Sequence, residues 1–236
     1  YFNLIPLLDR LGLKAIEIPT HPEGGLSLDA LELLLSEGRL KVVVTMPTVH
    51  NPLGTSMSPA NKRRLANLAR TYKVPVIEDA LYAELQFSTP LQPTAKAFDR
   101  DGWIIVCASY TKTLAPGMRV GWMEGGYAQH IRRLRRTYAA QTERPRGLIH
   151  DAFPAGTRAT QPSGGFLVWV ELPEGCDTNR LFDLALRRGI GMTPGKLYSP
   201  SGRYTRHLRL SGCYPFSDRH VHALMTLGEL AGAQLR

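Results

Sequence analysis

The residues best suited to chemistry in this chain lie in Ser109-Tyr110-Thr111-Lys112-Thr113-Leu114-Ala115-Pro116-Gly117-Met118-Arg119. Lys112 stands between two hydrophobic runs, Trp103 to Ala108 and Val120 to Met123. A lysine at the end of a buried strand is costly as an ammonium. Its amine is, however, well suited to forming a Schiff base with an aldehyde. Ser109 supplies a neutral hydroxyl three residues before it, and Arg119 a two-pronged cation seven after it. A phosphate needs that pair. Lysine, aldehyde and phosphate together point to pyridoxal 5'-phosphate (PLP). The same loop would suit a solvated surface lysine, and a motif this short leaves both readings open.

Four further residues could serve such a group. Asp79 closes the apolar run Val74 to Ile77. A carboxylate at a buried strand end needs a partner or it neutralises. A protonated pyridine nitrogen would be one, and that pairing would keep the ring an electron sink; the alternative is an Asp that caps the next helix. Tyr82, three residues on, could donate to the phenolic oxygen of PLP, or be a buried tyrosine with a satisfied hydroxyl. Asn51, in His50-Asn51-Pro52-Leu53-Gly54, could reach the same oxygen or only form a turn. Arg209, between Leu208 and Leu210, needs an anion: a substrate carboxylate or a structural ion pair.

The elements that must position these residues follow from periodicity. Asn3 to Leu11 carries a helical stripe, and Leu13 to Ile18 alternates like a short strand. Ser27 opens a helix through Leu35. Lys41 to Met46 is a continuous apolar run, as in a strand covered on both faces. Ser58-Pro59 is a strong helix start, with Leu65, Leu68, Ala69 and Tyr72 as its buried stripe. Val74 to Ile77 and Trp103 to Ala108 are further strands. Strands alternating with helices predict a mainly parallel α/β sheet, and ligands bind such sheets beyond the carboxyl ends of the strands. Asn51, Asp79 and Lys112 all follow strand ends.

After Gly126 the pattern changes. Tyr127 to Gln141 reads as a very basic helix, with His130, Arg132, Arg133, Arg135 and Arg136 as a solvated face and DNA contact as the alternative. Strands are expected at Thr157 to Pro162, Phe166 to Leu172 and His207 to Leu210, and helices at Asn179 to Arg188 and Ser217 to Leu235. The division is therefore a large domain over 1–126 and a smaller α+β domain over 127–236.

The chain has 236 residues and is 43% hydrophobic and 21% charged, ordinary values for a globular protein. No apolar run is long enough to span a membrane. Cys107, Cys176 and Cys213 are scattered, which argues for free thiols in a reducing cytoplasm and against disulfides or a metal site. The net charge of +9 fits a nucleic-acid partner, or an acidic portion of the protein outside this stretch.

Taken together, these marks resemble fold-type I PLP enzymes, the aminotransferase superfamily. The loop is similar to the S-x-S-K-x-x-x-P-G-x-R-x-G signature, with Thr111 at the second Ser. Asn51-Pro52-Leu53-Gly54 and Asp79-Ala80-Leu81-Tyr82 resemble two other family marks, and Pro162-Ser163-Gly164-Gly165-Phe166-Leu167-Val168-Trp169 a third. The resemblance implies a large domain built on a mainly parallel sheet with helices on both faces, plus a smaller α+β C-terminal domain. It implies Lys112 as Schiff-base lysine and proton shuttle, Asp79 on the ring nitrogen, and Asn51 and Tyr82 on the phenolic oxygen. Ser109 and Arg119 would bind phosphate, and Arg209 the substrate carboxylate. Tyr1 falls where the family often stacks an aromatic on the ring. The likeness is narrowest to the MocR group of GntR-type regulators, through His50 to Gly54, Thr113 to Trp122 and Arg209 to Pro215. That implies a PLP- or amino-compound-sensing domain of a DNA-binding transcription regulator, homodimeric, touching DNA only through a winged helix ahead of Tyr1. The alternative is a free-standing aminotransferase acting on an α-amino acid and a 2-oxo acid. The family's Gly/Ser-rich phosphate loop is also expected ahead of Tyr1, and a further helical stretch is expected where Gly125-Gly126 meets Tyr127.

Overall fold

The structure, a computed structural model, describes residues 4–114 and 127–235. In chain order the elements are α1 (Leu4–Arg10), β1 (Thr20–His21), β2 (Gly25–Leu26), α2 (Leu28–Ser36), β3 (Val43–Thr45), α3 (Pro59–Tyr72), β4 (Val76–Asp79), β5 (Ile104–Cys107), α4 (Tyr127–Ala152), β6 (Arg158–Ala159), β7 (Leu167–Glu171), α5 (Thr178–Leu186), β8 (Thr193–Pro194), β9 (His207–Ser211) and α6 (Asp218–Gly232). They pack as two compact units. One comprises residues 18–139 with 162–165, the other 1–17, 140–161 and 166–236. The packing boundary thus falls within α4, thirteen residues beyond the change of pattern at Gly126, because the first half of α4 is tied into the first unit by contacts described below.

In the first unit, β3, β4 and β5 form a parallel sheet in that order, with Val43, Val76 and Ile104 in one rung. These three are buried against Leu31 and Leu35 of α2 and Leu65, Leu68 and Ala69 of α3. Both helices start where their caps dictate. Ser27 Oγ accepts from Ala30 N at 3.3 Å, and Ser58 Oγ from Asn61 N at 3.2 Å with Pro59 next. The opposite face of the sheet differs from the expectation for Lys41 to Met46. Val44, Ile77 and Ile105 share a rung there, yet Val44 is 44% and Ile105 55% exposed. Leu13 to Ile18 does not form the expected strand; Glu17 instead accepts from Ser199 Oγ at 2.7 Å and Ser201 Oγ at 2.8 Å, both in its own unit.

Two buried charges brace β4. Glu78, fully buried, accepts from the backbone N–H of Ala95 and of Lys96, each at 2.9 Å. Lys62, equally buried, donates to Pro93 O at 2.8 Å. Burial pushes the Lys62 ammonium down to about 8, against the opposing pull of Glu78. Both grip the stretch from Pro93 to Lys96, so the strand that ends in Asp79 is anchored by charge-assisted bonds of Glu78 as well as by its apolar face.

In the second unit, β6, β7, β9 and β8 form an antiparallel sheet in that order. Val168, Val170 and Leu208 face a core completed by Ile149 and Phe153, Leu181 and Ala185 of α5, and Leu224, Leu227 and Ala231 of α6. α6 meets the end of α4 at backbone distance: a Cβ on Gly228 would lie 2.2 Å from Ala152 O, so only glycine fits there. The expected end of the basic helix at Gln141 is overridden by this packing, and α4 runs on through Pro145 to bury Ile149.

Candidate functional site

The first unit brings most of the singled-out residues to the carboxyl ends of adjacent parallel strands. Asp79 is the last residue of β4 and pairs in register with Cys107, the last of β5. Ala80 N then donates to Cys107 O at 2.8 Å, so both chains leave the sheet together. Asp79 Oδ1 accepts from Leu81 N at 3.1 Å, a local turn contact that leaves its second oxygen for another partner. Tyr82 follows at the start of a single 3-10 turn, Ala83–Leu85, and is 4% exposed.

From β5 the chain passes Ser109 into a second 3-10 turn, Tyr110–Lys112. Ser109 caps it, accepting from Thr111 N at 3.1 Å, and its hydroxyl meets Thr111 Oγ1 at 2.6 Å. Lys112 closes the turn, half-buried, with Nζ 5.9 Å from the centre of the Tyr82 ring. That is the outer range of a cation–π contact. Amine and phenol ring therefore approach each other beyond two adjacent strand ends, one of which Asp79 closes.

Asn51 lies in a turn shaped by its neighbours. His50 N donates to Thr55 O at 2.7 Å, and Gly54 N to His50 O at 2.6 Å. Thr48 Oγ1, His50 Nδ1 and Thr55 Oγ1 are buried here without hydrogen-bond partners, and burial pushes the His50 imidazole down to about 4. The Pro162-to-Gly165 turn clamps this loop. Ser163 N and Oγ both donate to Gly54 O, at 2.7 and 3.1 Å, and Ser163 Oγ meets Ser56 Oγ at 3.0 Å. On its other side, Phe87 N donates to Ser163 O at 2.9 Å and Gly165 N to Leu85 O at 3.0 Å. A Cβ on Gly164 would meet Leu85 O and a Val49 methyl, each at 2.7 Å, which is why the turn needs glycine. The Asn51 loop and the Tyr82 turn are thus joined through one tetrapeptide.

Arg209 belongs to the second unit. It sits in β9 opposite Trp169 of β7, with its guanidinium 5.4 Å over the Tyr198 ring. Trp169, Tyr198, Tyr204 and His207 form a connected set of ring contacts beside it. Tyr1 and Arg119 lie outside the described residues.

Sequence reasoning missed the network that holds the lysine loop. The Tyr127 hydroxyl donates to the Glu84 carboxylate and lies 3.3 Å from Thr113 Oγ1. His130 Nε2 donates to Thr113 O at 2.7 Å, and Arg135 Nε to Glu84 O at 2.6 Å. Burial, then the Glu84 contact, pushes the Tyr127 phenol up to about 12. The basic helix is consequently not one solvated face: Arg132, Arg133 and Arg136 are exposed, while His130 and Arg135 point inward. No pattern in the chain links Tyr127 to Glu84, 43 residues away.

The donor set suits a phosphorylated pyridine aldehyde: an amine, a carboxylate, a phenol and a hydroxyl-lined turn, all in one unit. This is a fold-type I aminotransferase architecture, and the chain belongs to the aminotransferase class I and II family, whose pattern matches residues 1–142. PLP is the cofactor of that family. YjiR of Escherichia coli strain K12, described as an uncharacterized HTH-type transcriptional regulator, is 34% identical over 262 residues, which cover 97% of this chain and 56% of that protein. Aromatic-amino-acid aminotransferase 1 of Thermococcus litoralis is 28% identical, over 94% of this chain and 62% of its own. Among solved structures, LysN, an α-aminoadipate aminotransferase of Thermus thermophilus complexed with N-(5'-phosphopyridoxyl)-L-leucine, superposes with a TM-score of 0.91 at 25% identity, over all of this chain and 69% of that one. The chain spans little more than half the length of the curated relatives it matches. The match to YjiR runs over 262 positions against 236 residues here, so the relative carries residues inside the matched stretch that this chain lacks. No helix among the described residues is long and apolar enough to cross a membrane.

Proposed function

We propose that this chain is the PLP-binding effector domain of a MocR/GntR-type DNA-binding transcription regulator, with the cofactor held as a Schiff base on Lys112. The observation that carries the reading is Lys112 Nζ beside the Tyr82 ring, with Asp79 ending the neighbouring strand. When bound, the pyridoxal ring acts as a sink for negative charge at Cα of an amino compound. Lys112 would hold the aldehyde carbon and, once freed, would carry the proton at Cα. Asp79 would be the counter-ion of the protonated ring nitrogen. Asn51 and Tyr82 would donate to the phenolic oxygen, Ser109 and Arg119 would hold the phosphate, Tyr1 would stack on the ring, and Arg209 would take the carboxylate of an amino-acid effector.

In this reading a PLP-binding portion over 1–126 is followed by a C-terminal portion over 127–236. DNA contact belongs to a winged helix outside this chain, and the protein works as a cytoplasmic homodimer. The similarity to YjiR favours regulation. A second reading, a free-standing aminotransferase that exchanges an amino group between an α-amino acid and a 2-oxo acid, is favoured by the Thermococcus litoralis relative.

The test is borohydride reduction of the full-length protein with PLP, followed by peptide mass analysis. One adduct, on Lys112, is expected, and Lys112→Ala should lose it while staying folded. An adduct on another lysine, or none, sinks the reading. Amino-acid-dependent retention on promoter DNA without turnover would separate regulator from enzyme.

A further inference from the structure

The Schiff-base reading leaves open what holds Lys112 in place. Lys112 ends a 3-10 turn of only three residues, too short to fix a side chain by its own hydrogen bonds. Tyr82 likewise precedes a single turn, Ala83–Leu85. Neither turn is part of the sheet, so the 5.9 Å approach of amine to ring needs a third element.

That element is the first half of α4. Its Tyr127 hydroxyl reaches Glu84, two residues after Tyr82, and Thr113, the residue after Lys112. The Tyr127 ring also meets the Tyr110 ring edge-on, with centroids 5.6 Å apart. His130 and Arg135 add one bond each, to Thr113 O and Glu84 O, from the same helix. Thr113 is 2% exposed, so this contact is shielded from water, where a hydrogen bond is stronger and its loss more costly. The acceptor on the other side is a carboxylate, which makes a charge-assisted bond.

We propose that Tyr127 is a positioning residue for the lysine loop, tying Thr113 to Glu84 and so setting the amine of Lys112 against the ring of Tyr82. The inference rests on the reading of Lys112 as the cofactor-binding lysine, and its test has one arm that does not depend on that reading.

The test compares Tyr127→Phe, which keeps the ring contact with Tyr110 and removes only the hydroxyl, with the wild type as full-length protein. In the first arm, without cofactor, amide hydrogen exchange is followed by mass spectrometry. Thr113 and Leu114, whose amides bond Tyr110 O, and Leu85, whose amide bonds Tyr82 O, should all exchange faster in the variant. If neither turn or only one changes, the tie does not exist. In the second arm PLP is titrated. The variant should bind it about tenfold more weakly, the weight of one hydrogen bond to a charged group. Glu84→Ala should reproduce both effects, and the double variant should add little to either; Glu84→Gln, which keeps an acceptor, should restore most of the affinity. Affinity within about twofold of wild type would overturn the proposal, even with a lower melting temperature. If the wild type takes up no PLP on Lys112, the cofactor reading fails, and exchange alone decides whether Tyr127 ties the two turns.

Discussion

The two sheets of this molecule are held together in opposite ways. The antiparallel sheet of the C-terminal unit closes its own core: Val168, Val170 and Leu208 are at most 1% exposed, packed under α5 and α6. The parallel sheet buries Val43, Val76 and Ile104 equally well on one face but leaves Val44 and Ile105 open on the other. Parallel sheets are covered on both faces as a rule. Polar clamps add to its covered side: Glu78, on the same face as Val76, holds the amides of Ala95 and Lys96, and Asp99 holds those of Asp101, Gly102, Trp103 and Ile104. The C-terminal unit closes on itself, whereas the other holds the candidate residues Asp79, Tyr82 and Lys112 beyond its strand ends, positioned by loops, turns and buried charge.

Three measurements would break or sharpen that contrast. The largest effect should come from Leu208→Ala, which removes a fully buried side chain from the closed core; urea unfolding should show a loss of roughly 2–5 kcal/mol. A loss under about 1 kcal/mol would mean that core is looser than its burial implies. Next is the acid response of the open unit. Burial alone would raise the Asp99 carboxyl, but bonds from Lys96 and the backbone amides outweigh it and hold it down to about 2. A group depressed on folding stabilises above its ordinary value, 3.8, and loses that contribution as pH falls through about 2. The stake is about 2 kcal/mol, so unfolding followed from pH 5 to pH 2 should show this step, and Asp99→Asn should flatten it. The smallest effect should be that of Ile105→Ser on the bare face, within about 0.5 kcal/mol in this chain. A much larger loss in the full-length protein would show that the face is covered there.

Much of the local structure around the candidate site was legible in the chain. Ser27 and Ser58-Pro59 mark helix starts by chemistry that acts over three residues, and the structure uses both. Asp79 and Lys112 could be assigned to strand ends because short apolar runs stop just before them. Leu13 to Ile18 misled because alternation alone does not supply a neighbouring strand, and Glu17 found serine hydroxyls instead. The burial of Lys62 and Glu78 had no signal in the chain, since burial of an ion depends on partners remote in sequence. The reach of α4 past Gln141 came from packing of Ile149 against residues of the far C-terminal helix, such as Ala231.

The sequence by itself determined which residues could do chemistry and where the local signals start and stop elements, because those depend on side-chain type and on contacts within a few residues. Residue type and spacing were enough to mark a candidate PLP lysine and a carboxylate to go with it. The tertiary structure decided which turns are held and by what. Tyr127, Glu84 and Thr113 meet only when α4 lies across two turns, and Ser163 clamps the Asn51 loop from more than a hundred residues away. Such bonds are chosen by the path of the whole chain, since a hydroxyl or carboxylate carries no mark in sequence of the partner it will find.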